Sequence, residues 1–270
     1  MKRTLLIRPG AIGDAIVSLP AMEFLRGEYT EVWAPTVNLS LFSFADKVRS
    51  IASTGLERIG VFDEPIAEEL RQFDRIVSWY GANREEFRKA LQGLPVEFHR
   101  ALPAADCSIH AVDFYLEQVG APLGAVPRIP VSAEKRDFMA IHPFSGSVQK
   151  NWPWEKFQAV AGQSSLPVEW AAAPDGTHRF QNLGDVTVWL ASARVYLGND
   201  SGISHLAAAV GTPVIALFGQ TDPRVWAPRG AAVKILRMDS ATVAHVLDSI
   251  ADETDFRALS TDCWLGDLRS

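Results

Sequence analysis

Cysteine is nearly absent from this chain: two in 270 residues, Cys107 and Cys263, far apart and outside any metal-binding spacing. That excludes a disulfide framework and a cysteine-built zinc site, and it fits a reducing compartment. Positive charge is also scarce. Lys and Arg number 26 against 32 Asp and Glu, a formal net charge of −6 that both halves share. A general nucleic-acid binder is normally basic, so that class is excluded. Internal repeats and low-complexity tracts are missing. So is a long unbroken apolar run. Residues 201–221 hold no Asp, Glu, Lys or Arg, but Gly202, His205, Gly211, Pro213 and Gly219 divide them into helix, turn and strand. The N-terminal MKRTLLIRPGAIGDAIV has the outline of a signal peptide, yet Arg8 and Asp14 interrupt its apolar part and no small-residue cleavage site follows. The expectation is a chain without a transmembrane segment.

What is present is the composition of a soluble globular protein, 47% hydrophobic and 21% charged, with length enough for two cores. Short apolar runs alternate with helical patterns. Strands are expected at 4–7, 31–34, 58–62, 75–79 and 96–99, then at 138–141, 168–171, 195–197, 214–218 and 233–236. Helices are expected at 14–26, 64–72, 84–92 and 109–119, then at 154–163, 186–193, 203–209 and 241–251. Such alternation predicts an α/β protein with parallel sheets. Pro122, Gly124, Pro127 and Pro130 crowd a turn-rich stretch that suits a domain boundary. The expected division is 1–130, 131–252, and a tail, 253–270, packing back on a domain.

Three polar turns carry chemistry. The first, Arg8-Pro9-Gly10-Ala11-Ile12-Gly13-Asp14, closes a strand and opens a helix. It places the Asp14 carboxylate beside the positive end of a helix, where an acidic residue is also favoured on structural grounds alone. Gly-Ala-Ile-Gly-Asp lacks the G-x-G-x-x-G order, so a dinucleotide fingerprint matches poorly. Pro20 falls inside the helical pattern and should kink it. The second turn runs from His142 to Pro153. Ser145, Gly146 and Ser147 offer backbone and hydroxyl donors to a phosphate, and Lys150 adds a point charge; a polar loop with a solvated lysine is the plainer reading. The third holds Asn199, Asp200, Ser201, Gly202, Ser204 and His205 at a helix N-terminus, the natural place for an anion. Ile203, Leu206, Ala207 and Val210 form an apolar stripe, which puts His205 on the opposite, open face. Thr221 and Asp222 end the next strand on the same sheet edge, in a sequence that also suits an ordinary turn.

In this order the turns resemble glycosyltransferase family 9, the ADP-heptose:lipopolysaccharide heptosyltransferases. The pieces are LLIRPGAIGDAIVSLPA, HPFSGSVQKNWPWEKF and GNDSGISHLAAAVGTPVIALFGQTDPRVWAP, spread over most of the chain. The resemblance implies a GT-B fold, two Rossmann-like domains whose sheets face each other across a cleft. Residues 1–130 would take the acceptor and 131–252 the nucleotide-sugar donor. It implies an inverting glycosyl transfer with Asp14 as catalytic base. Lys150 and the donors of Ser145, Gly146, Ser147 and Gly202 would stabilise the leaving diphosphate. Asp200, Ser201 and His205 would bind the donor, and Gly13, Thr221 and Asp222 would line the cleft. No metal or other cofactor is expected, since the diphosphate leaves without a proton and neutral donors meet its charge. The implied partners are a nucleotide-sugar, ADP-heptose by family, and a glycan or glycolipid acceptor such as the lipopolysaccharide core. The implied location is cytoplasmic, with peripheral contact at the inner membrane face. The chain departs from the family where many members carry a Gly-Gly-Pro-type turn followed by a glutamate. Here the segment is Trp170-Ala171-Ala172-Ala173-Pro174-Asp175-Gly176, and Asp175 is the nearest substitute for contacting the donor sugar. Arg84, Arg88 and Lys89 form a basic cluster that an anionic acceptor could meet, although Glu85 and Glu86 on the same helix suit a solvated face. The alternative is a nucleotide-sugar-binding protein of the same fold without transfer activity.

Overall fold

The computed structural model describes residues 1–58, 66–172 and 179–258, with backbone alone for 253–258. The chain divides into two compact units, Met1–Pro130 with Asn182–Gly184, and Val131–Gln181 with Asp185–Ser270. Each is built on a five-stranded parallel sheet, as the α/β alternation requires.

In the first unit the strands are β1 (Arg3–Ile7), β2 (Tyr29–Ala34), β3 (Lys47–Ser50), β4 (Arg75–Ser78) and β5 (Val96–Phe98). Their order is β3-β2-β1-β4-β5, the doubly wound pattern whose direction reverses between β1 and β4. Helices α1 (Ile12–Phe24), α2 (Ile66–Leu70), α3 (Glu85–Ala90) and α4 (Ala111–Gln118) occupy the connections and the end of the unit. Leu5, Ile7, Trp33, Leu70, Phe73, Ile76 and Phe87 build one core cluster. Burying an aliphatic or aromatic side chain of this size contributes roughly 1.5–3 kcal/mol.

In the second unit β6 (Met139–His142), β7 (Val168–Trp170), β8 (Val195–Asn199), β9 (Val214–Phe218) and β10 (Val233–Arg237) run β10-β9-β8-β6-β7. The reversal here lies between β6 and β8. The helices are α5 (Trp154–Gln163), α6 (Leu183–Ser192), α7 (Gly202–Ala209), α8 (Pro223–Trp226) and α9 (Val243–Ala258). The core joins Met139, Ile141, Leu197, Ile215 and Leu217 of the sheet to Phe157 and Val160 of α5 and Val246 and Ile250 of α9. Both sheets therefore present a switch point at the carboxyl ends of their strands, where α/β folds bind ligands.

Two differences from the sequence reading are instructive. The strand expected at 58–62 lies outside the described residues except for Arg58, which closes a 3-10 turn (Leu56–Arg58). The strand beside β2 is instead β3, whose sequence Lys-Val-Arg-Ser has no apolar run. It pairs because its cations answer a buried acid. Glu31 of β2 is 1% exposed, accepts from Trp33 Nε1 at 2.8 Å, and lies 3.3 Å from Lys47 Nζ and 3.8 Å from Arg49 Nη1. Opposite charges across neighbouring strands stabilise the pairing. The second difference is α8, a short helix after β9 that the turn-like Thr-Asp-Pro sequence did not announce. Helix α1 runs on through Pro20.

Candidate functional site

The first unit places Asp14 at the switch point between β1 and β4. Helix α1 begins at Ile12 after an Ala11 that has no side chain to cap it. Asp14, at the third helical position, reaches back instead: its Oδ2 accepts the Ala11 N–H at 2.9 Å. This is half of a capping box, and it fixes the carboxylate over the turn. Among the described residues Oδ1 accepts no hydrogen bond. Gly13 sits in the same first turn, half-buried like Asp14.

Glycine at position 10 is what lets the carboxylate lie there. Gly10 has φ +108°, and a β-carbon on it would come within 2.7 Å of Asp14 Oδ2. Its carbonyl accepts from Asn38 Nδ2 at 3.0 Å. Beneath the turn lies Arg8, a guanidinium 1% exposed. It donates to Ser18 Oγ (2.8 Å), to the Asp14 carbonyl (2.7 Å), to the Pro9 carbonyl (2.9 Å) and to Tyr115 Oη (2.8 Å). Tyr115 Oη in turn donates to the Ala101 carbonyl at 2.6 Å. Burial pushes the Tyr115 hydroxyl up to about 12, although Arg8 opposes this.

In the second unit the loops after β6 and β8 flank the other switch point. Asn199, fully buried at the end of β8, welds them together. Its Nδ2 donates to the Pro143 carbonyl at 2.6 Å and its Oδ1 accepts the Trp152 N–H at 3.0 Å. The 3-10 turn Val148–Lys150 then carries Lys150 Nζ to within 2.8 Å of Asp200 Oδ2. Thr221 Oγ1, from beyond β9, donates to the same oxygen. Asp200 is 7% exposed while the lysine side chain is 34% exposed, so the pair is half-sheltered. Like Asp14, Asp200 has one carboxylate oxygen anchored by protein donors and a second with no hydrogen bond among the described residues.

The α7 helix follows Asp200 directly. Ser201 takes the extended N-cap conformation without a side-chain cap bond, and while the Ser204 N–H donates to the Ser201 carbonyl at 3.1 Å, the N–H groups of Gly202 and Ile203 are left for another acceptor. The helix ends where Gly211, at φ +82°, donates to the Ala208 carbonyl at 3.1 Å and Thr212 donates to the Ala207 carbonyl at 3.0 Å. Those two bonds are a Schellman motif, and they fix the length of α7. Below it Tyr196, wholly buried, lies across Gly198, where a β-carbon would meet its hydroxyl at 2.2 Å. That hydroxyl lies 3.3 Å from Ser204 Oγ, which donates to the Asn199 carbonyl at 2.5 Å. Burial raises the Tyr196 hydroxyl well above its ordinary value.

The other expected site residues divide. His205 is a correction: it is 6% exposed, not on an open face. The stripe argument failed because α7 is enclosed nearly all round, with Ser204 through Ala209 all buried. Ser145 is half-buried, and its hydroxyl is engaged inside its own loop, 2.9 Å from Asn151 Oδ1 and 2.8 Å from the Ser147 carbonyl. Gly146 and Ser147 are exposed. Asp222 caps α8, accepting the Arg224 N–H at 2.9 Å, and the hydrogen bonds from the Arg224 side chain hold its carboxyl below the usual range. Asp175 lies outside the described residues, as do the tail from 259 and Cys263. The basic cluster on α3 disperses. Arg84 donates to Tyr80 Oη at 3.1 Å, Arg88 lies over the Phe98 ring, and Lys89 pairs with Glu85 at 2.7 Å. Arg8 and Asn199 were named within the polar turns but given no role from sequence, and Asn38 and Tyr115 were not singled out at all. The signal for Asn199 was its place between a buried strand and Asp200; the other three are joined only by the fold. Among the described residues no group of three or more His, Cys, Asp or Glu could hold a metal ion, and no helix is long and apolar enough to cross a membrane.

Residues 181–248, which hold the Asp200 turn, α7 and β9, match the family model of glycosyltransferase family 9 (heptosyltransferase). A lipooligosaccharide heptosyltransferase 2 of Haemophilus influenzae is 39% identical over 57 residues, 21% of this chain and 16% of that protein. The aligned segment thus spans less than a fifth of that relative's own length. The likeness in fold is far more extensive. The structure of ADP-heptose lipopolysaccharide heptosyltransferase II of E. coli superposes with a TM-score of 0.75 at 16% identity, covering 96% of this chain and 100% of that one. E. coli heptosyltransferase WaaC with ADP gives 0.67 at 18% identity, covering 93% and 99%. The resemblance read from the sequence is thus met again, in sequence over one segment and in fold over nearly the whole chain.

Proposed function

We propose that this chain is an inverting glycosyltransferase that moves heptose from ADP-heptose to a glycan acceptor of the lipopolysaccharide core type. What carries the reading is the Asp200 turn. It falls inside the segment that matches the family model, and its carboxylate is the partner of Lys150, the cation that a leaving diphosphate would need. In the proposed reaction Asp14 Oδ1 takes the proton of an acceptor hydroxyl as that oxygen bonds to the anomeric carbon. The bond from that carbon to the diphosphate oxygen breaks, and ADP leaves with the electron pair. Inversion follows from a single displacement. Lys150 and the N–H groups of Gly202 and Ile203 at the start of α7 meet the charge that develops on the diphosphate. The unanchored oxygen of Asp200 is left to accept from a sugar hydroxyl. No metal enters the scheme, so chelation with EDTA leaves the rate unchanged. The place of action under this reading is the cytoplasmic face of the inner membrane, where a lipid-linked acceptor would be met.

The test is to incubate the protein with ADP-heptose and a lipooligosaccharide core acceptor, following ADP release and product mass, with UDP- and GDP-sugars alongside. Acceptor-dependent ADP release with an inverted anomeric linkage is the expected result. A second reading is a nucleotide-sugar-binding protein without transfer. One observation favours it: the family match lies wholly outside Met1–Pro130, where Asp14 sits. Binding of ADP-heptose with no ADP release from any acceptor would decide for that reading.

A further inference from the structure

We infer that Arg8 and Asn38 are positioning residues for Asp14, two buried donors that hold its turn from either side. The inference rests on Asp14 being the base. Asn38 is fully buried, and its Nδ2 donates to the Gly10 carbonyl at 3.0 Å while its Oδ1 has no partner among the described residues. An unsatisfied buried polar atom is costly, and an apolar side chain there would avoid that cost. Arg8 is the sharper case. It is 1% exposed and has no ion-pair partner among the described residues, and carbonyls and hydroxyls satisfy its donors. Burying a charge with no carboxylate in ion-pair contact is costly, and the through-space attraction of Asp14 offsets only part of that cost, so a fold alone does not require it.

The geometry gives both residues one task. Gly10 and Asp14 are the two ends of the turn whose carboxylate oxygen lies where a Gly10 side chain would be. Asn38 holds the carbonyl at the first end, and Arg8 holds the carbonyl of Asp14 at the second, 2.7 Å away. Through Ser18 and Tyr115, Arg8 also ties that turn to α1 and α4. Burial lowers the guanidinium from its ordinary value, while Tyr115 and Asp14 pull it back. Neither residue touches a substrate in this assignment. Each acts through the place and direction of Oδ1, and a misplacement of about 1 Å at a reacting group can cost about 100-fold in rate.

The test uses the full chain with Arg8→Met, Arg8→Lys, Asn38→Leu and Tyr115→Phe. Turnover is measured with ADP-heptose and a lipooligosaccharide core acceptor, and the Ala11 amide proton is followed by NMR. For Arg8→Met and Asn38→Leu the expected result is a kcat lower by about 100-fold, with the ADP-heptose KM within about twofold. Arg8→Lys should recover at least about tenfold of that loss. The Ala11 amide, which donates to Asp14, should move in both variants while resonances of the second unit stay. Unchanged kcat, or losses in kcat and KM that track the melting temperature, would overturn the inference. If Arg8→Met does not fold, Asn38→Leu and Tyr115→Phe decide it by the same readouts. Asp14→Asn is run in parallel: wild-type transfer by that variant defeats the base reading itself. If the wild-type chain shows no transfer, the Ala11 amide still reports the turn, and a resonance unmoved in Asn38→Leu would sink the positional claim.

Discussion

The β-carbon that Gly10 lacks would stand 2.7 Å from Oδ2 of Asp14. Position 10 therefore sets where the carboxylate lies as well as how the chain turns. At φ +108° an L side chain is also strained. Gly10→Ala should lose about 1–3 kcal/mol of stability and lower turnover by about 100-fold. ADP affinity should stay within about twofold. Denaturant unfolding, isothermal titration with ADP and the transfer assay check the three parts. Full turnover in a folded Gly10→Ala variant would show that the position of Oδ2 is unimportant.

Lys150 and Asp200 form the second testable relationship. Lys150→Met leaves a carboxylate of 7% exposure without its cation, whereas Asp200→Asn frees the lysine. A double-mutant cycle in urea should give a coupling of about 0.5–3 kcal/mol, at the low end because the lysine is partly solvated. Lys150→Met should weaken ADP binding by at least about tenfold, the loss of a charge-assisted contact. Asp200→Asn should bind ADP more tightly than wild type, since Lys150 no longer has to leave a partner. Weaker ADP binding by Asp200→Asn would mean that Asp200 engages the nucleotide directly.

Tyr196 and Gly198 pack as one unit on β8. Gly198→Ala pushes a methyl into a hydroxyl that has nowhere to go in a fully buried site. The expected cost is about 1–3 kcal/mol by overpacking. Combining it with Tyr196→Phe should return only part of that loss, because the hydroxyl contact at 2.2 Å goes but the ring carbons Cζ and Cε1, at 2.6 and 2.9 Å, remain. Melting temperatures of the two single variants and the double variant test this. An additive result would place the strain elsewhere.

Stability should fall in alkali through the buried tyrosines. Tyr115 keeps its proton to about 12 in the folded state against an ordinary value near 10. The folded state therefore binds that proton more tightly. Its contribution is complete below pH about 10 and is lost as the pH rises toward 12. Unfolding free energy should drop across this window by about 2 kcal/mol on account of Tyr115, with Tyr196 adding in the same direction. Tyr115→Phe should flatten its share of the slope. An unchanged slope in that variant would show that the hydroxyl is not held as described.

Much of this architecture could be read directly from the residues. Strands such as Val214–Phe218 are continuous apolar runs bounded by breakers, and buried parallel strands leave just that trace. The order of the polar turns was legible for the same reason, since each follows a strand end. The β3 strand was not, because its cause is a buried Glu31 on another strand, and pairing across a sheet leaves no local pattern. The burial of His205 escaped for a related reason. A period of 3.6 finds one buried face, but a short helix buried nearly all round has no free one. Arg8 looked like the end of a strand, and only the fold brings Ser18, Tyr115 and Ala101 around it.

The Lys150–Asp200 pair has one more consequence. A bare lysine beside a helix N-terminus would collect any small anion in its surroundings. Here the chain supplies its own anion first, and a visitor must displace a carboxylate already seated 2.8 Å from the ammonium. Inorganic phosphate, with little besides its charge to offer, is a poor competitor for that seat. A nucleoside diphosphate brings a base and a ribose as further sources of binding energy. Under the role proposed for Lys150 the ion pair would act as a filter against common anions, and Asp200→Asn should make the protein markedly more sensitive to inhibition by phosphate.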